Sequence, residues 1–167
     1  MSTEHLIISR LLCELKGVER IALGPGLPKR TIPYLTPQQS WVDLGRPNTE
    51  AVDVDVAVVE ASEVSPNGEL TVLAGTNPAS INARTWIVCG MLRKQEDSLQ
   101  LVKECTLPAQ LEGSVGLVVT ELGVIRVTQV GFELVEISPG VGSDDIRMQV
   151  RASLHVADDL KRIKLCA

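Results

Sequence analysis

The feature that most constrains this chain is the run Asp53-Val54-Asp55-Val56-Ala57-Val58-Val59-Glu60. It starts with polar and apolar residues alternating and then becomes continuously apolar. A strand with one wet face keeps the alternation, whereas a strand covered on both faces loses it. Trp86-Ile87-Val88-Cys89 repeats the continuous pattern, and so does Val115 to Glu121. Such runs belong in the middle of a parallel sheet with other elements packed on its two faces.

The segments between them fit that architecture. Thr3 to Lys16 carries Leu6, Ile7, Ile8, Leu11, Leu12 and Leu15 at helical spacing, so it reads as an amphipathic helix. Ser2 or Thr3 can cap it, Glu4 suits its dipole, and Gly17 can stop it. Arg20 to Leu23 is a short strand, and Gly24-Pro25-Gly26-Leu27-Pro28 a turn. From Lys29 to Asn48, Pro33, Pro37, Gly45 and Pro47 break up the chain and predict a loop with at most one helical turn. Pro66-Asn67-Gly68 is a turn. Val124 to Thr128 and Phe132 to Ile137 make a hairpin around Gln129 to Gly131. Ser143 is expected to cap a helix whose first turn holds Asp144 and Asp145, before a last short strand from Ser153 to Val156. The reading is one α/β domain over residues 1–167, built on a mainly parallel open sheet with flanking helices.

Composition excludes several functions. The net charge is -5, and aromatic residues make up only 2% of the chain, so stacking platforms and a basic surface for nucleic acid are lacking. No window has the roughly 18 apolar residues of a membrane span, and no secretion signal opens the chain, so the expectation is a cytoplasmic protein. Cys13, Cys89, Cys105 and Cys166 are widely spaced, which fits neither a zinc site nor a compact disulfide framework. They are expected to be reduced. His5 and His155, the two histidines, are far apart and suggest neither a metal centre nor a nucleophile–base pair.

Other motifs give a more specific reading. Cys105-Thr106-Leu107-Pro108 is followed by Val118-Val119-Thr120-Glu121-Leu122-Gly123-Val124, then by Glu136-Ile137-Ser138-Pro139-Gly140-Val141. Upstream stand Leu23-Gly24-Pro25-Gly26-Leu27-Pro28, Val54-Asp55-Val56-Ala57-Val58, Ala61-Ser62-Glu63-Val64 and Asn67-Gly68-Glu69-Leu70, and near the end Ala157-Asp158-Asp159-Leu160. In this order the motifs resemble the B subunit of class I coenzyme A transferases, in a shortened and diverged form.

That resemblance implies coenzyme A as substrate, no tightly bound cofactor or metal, and an A-type subunit or a homo-oligomer as partner. It implies transfer of CoA between short-chain carboxylic or oxo acids. In the family a glutamate attacks the acyl-CoA thioester and carries CoA as a glutamyl thioester, splitting the exchange into two easier steps. Here Gln38-Gln39-Ser40-Trp41-Val42-Asp43-Leu44-Gly45 matches that loop, and Trp41 falls at the glutamate position. Whether the chain is an enzyme is therefore left open by its sequence.

Asp43 and Glu60 are the candidate catalytic carboxylates, each with an alternative. Asp43 is either a relocated nucleophile or a solvated loop residue. Glu60 is either a reacting group at a strand end or an anchor for the next loop. Glu63 and Glu121 are read as structural. Gly24, Gly26, Gly75 and Asn77 are the candidate CoA-contacting positions, from the first turn and from Ala74-Gly75-Thr76-Asn77-Pro78-Ala79-Ser80-Ile81-Asn82, which lacks the family's paired glycines. The missing glutamate leaves two other functions open: a diverged CoA-ester hydrolase or decarboxylase, and a non-catalytic binding or scaffold subunit.

Overall fold

In the computed structural model, which describes residues 1–47, 50–93, 98–111 and 115–166, the first element is helix α1, Thr3–Leu15. Ile7, Ile8, Leu11 and Leu15 form its buried stripe. The Ser2 hydroxyl accepts the His5 N–H at 3.2 Å and so caps the first turn. At the other end the Gln39 amide donates to the carbonyls of Leu15, the last helical residue, and Val18, 2.7 and 2.9 Å away, tying the exit of the helix to the segment before β2.

Strand β1, Arg20–Leu23, follows, then a 3-10 helix over Leu27–Tyr34 and strand β2, Ser40–Asp43. This corrects the loop expected over Lys29–Asn48, whose last residue lies outside the described ones. Prolines suit the start of the 3-10 helix, and pairing with β1 supplies the order that the local sequence of β2 does not.

Strand β3 runs from Val52 to Val64, β4 from Leu70 to Val72, β5 from Ile81 to Gly90, and β6 covers Gln100–Leu101. β7 is Val115–Thr120, β8 is Gly123–Thr128 and β9 is Gly131–Ile137. Helix α2, Ser143–Gln149, precedes β10, Leu154–Arg162. The cap of α2 is Gly142 rather than Ser143, and the Asp145 carboxylate accepts the Gly142 N–H at 2.8 Å. β10 is longer than the expected Ser153–Val156, because it continues beside β9 past an irregularity between Val156 and Lys161.

The main sheet has the order β10-β9-β8-β7-β5-β3-β1-β2. β2, β1, β3, β5 and β7 are mutually parallel, β8 is antiparallel to both its neighbours, and β10 is parallel to β9. The sheet is therefore mixed and mainly parallel. The fold is α/β, and one face of the sheet is covered by α1.

The two faces have separate cores. Ile21, Leu23, Val58, Ile87, Cys89, Val119 and Val124 pack beneath α1. Ala22, Ala57, Val59, Trp86, Val88, Val118, Ile125, Phe132 and Leu134 point the other way, towards β4, β6 and Ile146 of α2. Side chains alternate along a strand, so Val58 and Val59 serve different cores although both are fully buried. That explains the unbroken apolar run in the sequence.

The cysteines depart from expectation. Cys13 on α1 and Cys166 after β10 form a disulfide, while Cys89 is a buried thiol and Cys105 a half-buried one. The fold brings the first pair together across 153 residues, so their spacing carried no hint of the bond.

Candidate active site at the strand ends

The five parallel strands present their C-terminal ends on one side of the sheet. β1 ends at Leu23 and β2 at Asp43. β3 leaves the main sheet after Glu60, its last residue paired with β5, and continues to pair with β4 and β6. Ligand sites of open parallel sheets form at this end.

Backbone hydrogen bonds bring the predicted positions together here. Gly24 N–H donates to the Val58 carbonyl at 2.9 Å, and Leu44 N–H to the Leu23 carbonyl at 2.9 Å. Asn77 N–H donates to the Leu44 carbonyl at 2.8 Å, which docks the Gly75–Asn77 loop behind Asp43. Gly24, Gly26, Asp43, Glu60, Gly75 and Asn77 thus gather at one end of the sheet. Trp41 stands apart, two residues back along β2 opposite Ile21, with 40% of its surface exposed.

Strand alternation fixes which way the carboxylates face. Trp41 and Asp43 pair with Ile21 and Leu23, which pack beneath α1, and Glu60 follows Val58 of the same core by two residues. Asp43 and Glu60 therefore share the α1 face, and both are bonded to the 3-10 helix.

Their environments nonetheless differ. The Asp43 carboxylate lies 2.7 Å from Lys29 Nζ, accepts Gly45 N–H at 2.7 Å and faces Arg46 at 3.7 Å. The Lys29 ammonium holds its pKa below the usual aspartate value, partly opposed by burial. Asp43 is thus an anchored strand-end ion-pair member, not a solvated loop residue.

Glu60 accepts the Leu27 N–H at 3.2 Å and has no ion-pair partner among the described residues. Burial pushes its pKa up against the pull of that N–H, and the nearby Glu4 pushes in the same direction. Gly26 makes this placement possible. Its φ is +88°, and a Cβ there would overlap Glu60 Oε2. Beside Glu60, as its register partner on β5, Cys89 is fully buried, and that burial holds its thiol well above its ordinary pKa. Lys29, Leu27 N–H, Glu4 and Arg30, which pairs with Glu4, were missed by sequence reasoning. None stands at a spacing from Asp43 or Glu60 that predicts contact.

Glu63 and Glu121 have structural work. Glu63 accepts Thr106 N–H at 2.9 Å, the Thr106 hydroxyl at 2.8 Å and Leu107 N–H at 2.8 Å. Glu121 accepts Leu92 N–H and Arg93 N–H, each at 2.8 Å. The Thr120 hydroxyl closes the turn by accepting Leu122 and Gly123 N–H, and Ser138 donates to the Glu121 carbonyl at 2.8 Å. Among the described residues, no group of three or more His, Cys, Asp or Glu could hold a metal.

No protein-family model matches the chain. It is 35% identical over 68 residues to the beta subunit of acetate CoA-transferase from Haemophilus influenzae, covering 41% of this chain and 30% of that one. It is 27% identical over 113 residues to the B subunit of succinyl-CoA:3-ketoacid coenzyme A transferase from Helicobacter pylori, covering 62% and 55%. The matches thus span about half, or less, of these relatives.

Among solved structures, an acyl-CoA transferase of Escherichia coli O157:H7 superposes with a TM-score of 0.77 at 16% identity, covering 98% of this chain and 43% of that one. The decarboxylase AibA/AibB superposes at 0.71 and 14% identity, covering 99% and 90%. The ordered motifs, the relatives and the shared fold agree: the chain is similar to the B subunits of class I coenzyme A transferases and has a coenzyme A transferase-like α/β fold.

Proposed function

We propose that this chain is the B-type subunit of an acyl-CoA enzyme, that it works with an A-type subunit, and that the pair moves CoA between short-chain carboxylic or oxo acids. The observation that carries this reading is Glu60, a half-buried carboxylate at the strand ends, bonded to one backbone N–H and unpaired with a cation among the described residues. Asp43 is less suited, because Lys29 already stabilises its charge. Glu60 would attack the thioester carbonyl and expel CoA thiolate, leaving a mixed anhydride. The thiolate would then attack the glutamyl carbonyl and release the acid, leaving CoA on Glu60 as a thioester. A second acid would reverse the sequence and depart as its CoA ester. The Gly24–Gly26 turn and the Gly75–Asn77 loop would flank the bound ester.

A second reading is favoured by Trp41, whose indole supplies no carboxylate, and by the decarboxylase among the structural neighbours. Here the enzyme would decarboxylate or hydrolyse a CoA ester with no bound thioester, and Glu60, its pKa raised by burial, would move a proton. The third reading is a binding or scaffold subunit.

The test is co-expression with an A-type subunit, incubation with short acyl-CoA esters, and borohydride trapping followed by peptide mass analysis. Reduction of Glu60 to the alcohol is the result expected of transfer. Turnover with no trapped residue selects the second reading. Failure of the chain to join an A-type subunit or to bind acyl-CoA removes both and leaves the scaffold.

A further inference from the structure

The Cys13–Cys166 bond lies away from the strand-end site and has a setting of its own. Both residues are half-buried, in contrast to Cys89. Cys166 also lines a cavity of about 390 Å³ between the end of α1 and the end of the 3-10 helix, with Leu12, Leu15, Lys16, Tyr34 and Gln39. Lys16 and Tyr34 are exposed, so this wall meets solvent. A thiolate can approach Cys166 Sγ from there, and the Lys16 ammonium favours its arrival.

Among the described residues, the segment joined by this bond is otherwise held by Ile163 and a few backbone N–H groups, one of which, Cys166 N–H, also lies 3.3 Å from the Ser9 carbonyl. Ile163 is buried, and its N–H donates to the Ile137 carbonyl at 3.0 Å. Beyond it, Lys164 N–H reaches the Glu136 carboxylate at 3.3 Å, and Cys166 N–H reaches the Ser9 hydroxyl at 3.0 Å. Leu165 is exposed. Helix α1, in contrast, is fixed by Ile7, Ile8, Leu11 and Leu15 and by the Arg10–Glu136 ion pair at 2.8 Å. The disulfide therefore fastens the segment to the helix, while the helix is secured independently.

We propose that Cys13–Cys166 is a reversible thiol–disulfide exchange site that latches residues 164–166 onto α1. A small thiol, as thiolate, attacks Cys166 Sγ. A mixed disulfide forms, the Cys13–Cys166 bond breaks, and its electron pair leaves on Cys13 Sγ, which takes a proton from water. A second thiol then attacks the mixed disulfide, so two thiols are oxidised to one disulfide while Cys13 and Cys166 are reduced. Release of the segment removes the Cys166 wall of the cavity that Leu12, Lys16 and Tyr34 also line.

Cysteine alkylation of the full chain, read by peptide mass, tests the first half. In protein purified in air and denatured without reductant, Cys89 and Cys105 should be alkylated and Cys13 and Cys166 should not. Labelling of all four would overturn the proposal. Amide exchange tests the second half. Treating the folded chain with dithiothreitol should speed exchange at residues 164–166 by on the order of tenfold and leave Ile7 to Leu11 unchanged. Cys166→Ser should reproduce the reduced pattern without reductant. Unchanged exchange at 164–166 would overturn the latch. So would global loss of protection, which would make the bond a staple of the whole fold.

Discussion

At the strand ends, a difference in environment separates two carboxylates of similar intrinsic acidity. Lys29 lowers the pKa of Asp43, whereas burial raises that of Glu60. Pairs separated in this way are how one site obtains different roles from like groups. They also act oppositely on stability. The ionised form of Asp43 is favoured by folding, so its contribution is present above the ordinary value of 3.8 and is lost as pH falls through its lowered folded value. For Glu60 it is the protonated form that folding favours. The folded chain therefore loses stability as pH rises from 4.5 through the raised folded value of Glu60. Glu60→Gln should remove this loss and keep an acceptor for Leu27 N–H. In urea unfolding at a series of pH values above 4.5, the variant should match the parent at the acidic end and exceed it near neutrality. A constant difference across the series would show that Glu60 is not desolvated. Both carboxylates were legible in the sequence as candidates, but their difference was not. It depends on the Lys29 ammonium, which reaches Asp43 only through the placement of the 3-10 helix over the strand ends, and on the burial of Glu60.

Elements with a strong internal period were the ones the sequence revealed. The stripe on α1, the two-sided apolar run of β3 and the β8–β9 hairpin each declare themselves within a few residues. β2 does not, because Ser40-Trp41-Val42-Asp43 is short, lies between Pro37 and Pro47, and takes its order from β1 twenty residues earlier. The motif Cys105-Thr106-Leu107-Pro108 was legible as a family signature, and the structure gives it a mechanical role. Three donors from Thr106 and Leu107 converge on Glu63, which is buried at the far end of β3. Glu63→Ala would leave two backbone N–H groups and a hydroxyl facing a void. Each bond to a charged acceptor contributes roughly 1.5–3 kcal/mol, and the contributions of one cluster are not additive. The expected loss is about 3 kcal/mol in urea unfolding, with Thr106→Val costing about 1 kcal/mol. A loss for Glu63→Ala within about 0.5 kcal/mol, the range of ordinary surface changes, would mean that the clamp is not formed.

For the whole molecule, the sheet order ranks the strands by how much surrounds them. β3, β5 and β7 lie inside the sheet between two apolar cores, while β2 and β10 close its ends. β2 has one strand neighbour, and its Trp41 is 40% exposed where Trp86 and Phe132 are buried. An uncovered edge strand offers unpaired backbone groups to water or to another chain. Amide exchange in the isolated chain should therefore be slowest at Val58, Val59, Val88, Val118 and Val119 and fast at the outward-facing amides of β2, by about the difference between local and global opening. The same measurement after mixing with an A-type subunit distinguishes two arrangements. Protection gained at β2 would place the partner against this edge, beside Asp43. Protection gained only at the Gly24–Gly26 turn and the Gly75–Asn77 loop would place it over the strand ends. If β2 were as protected as β3 in the chain alone, the edge would already be covered by a second copy, and partner assembly would have to displace it.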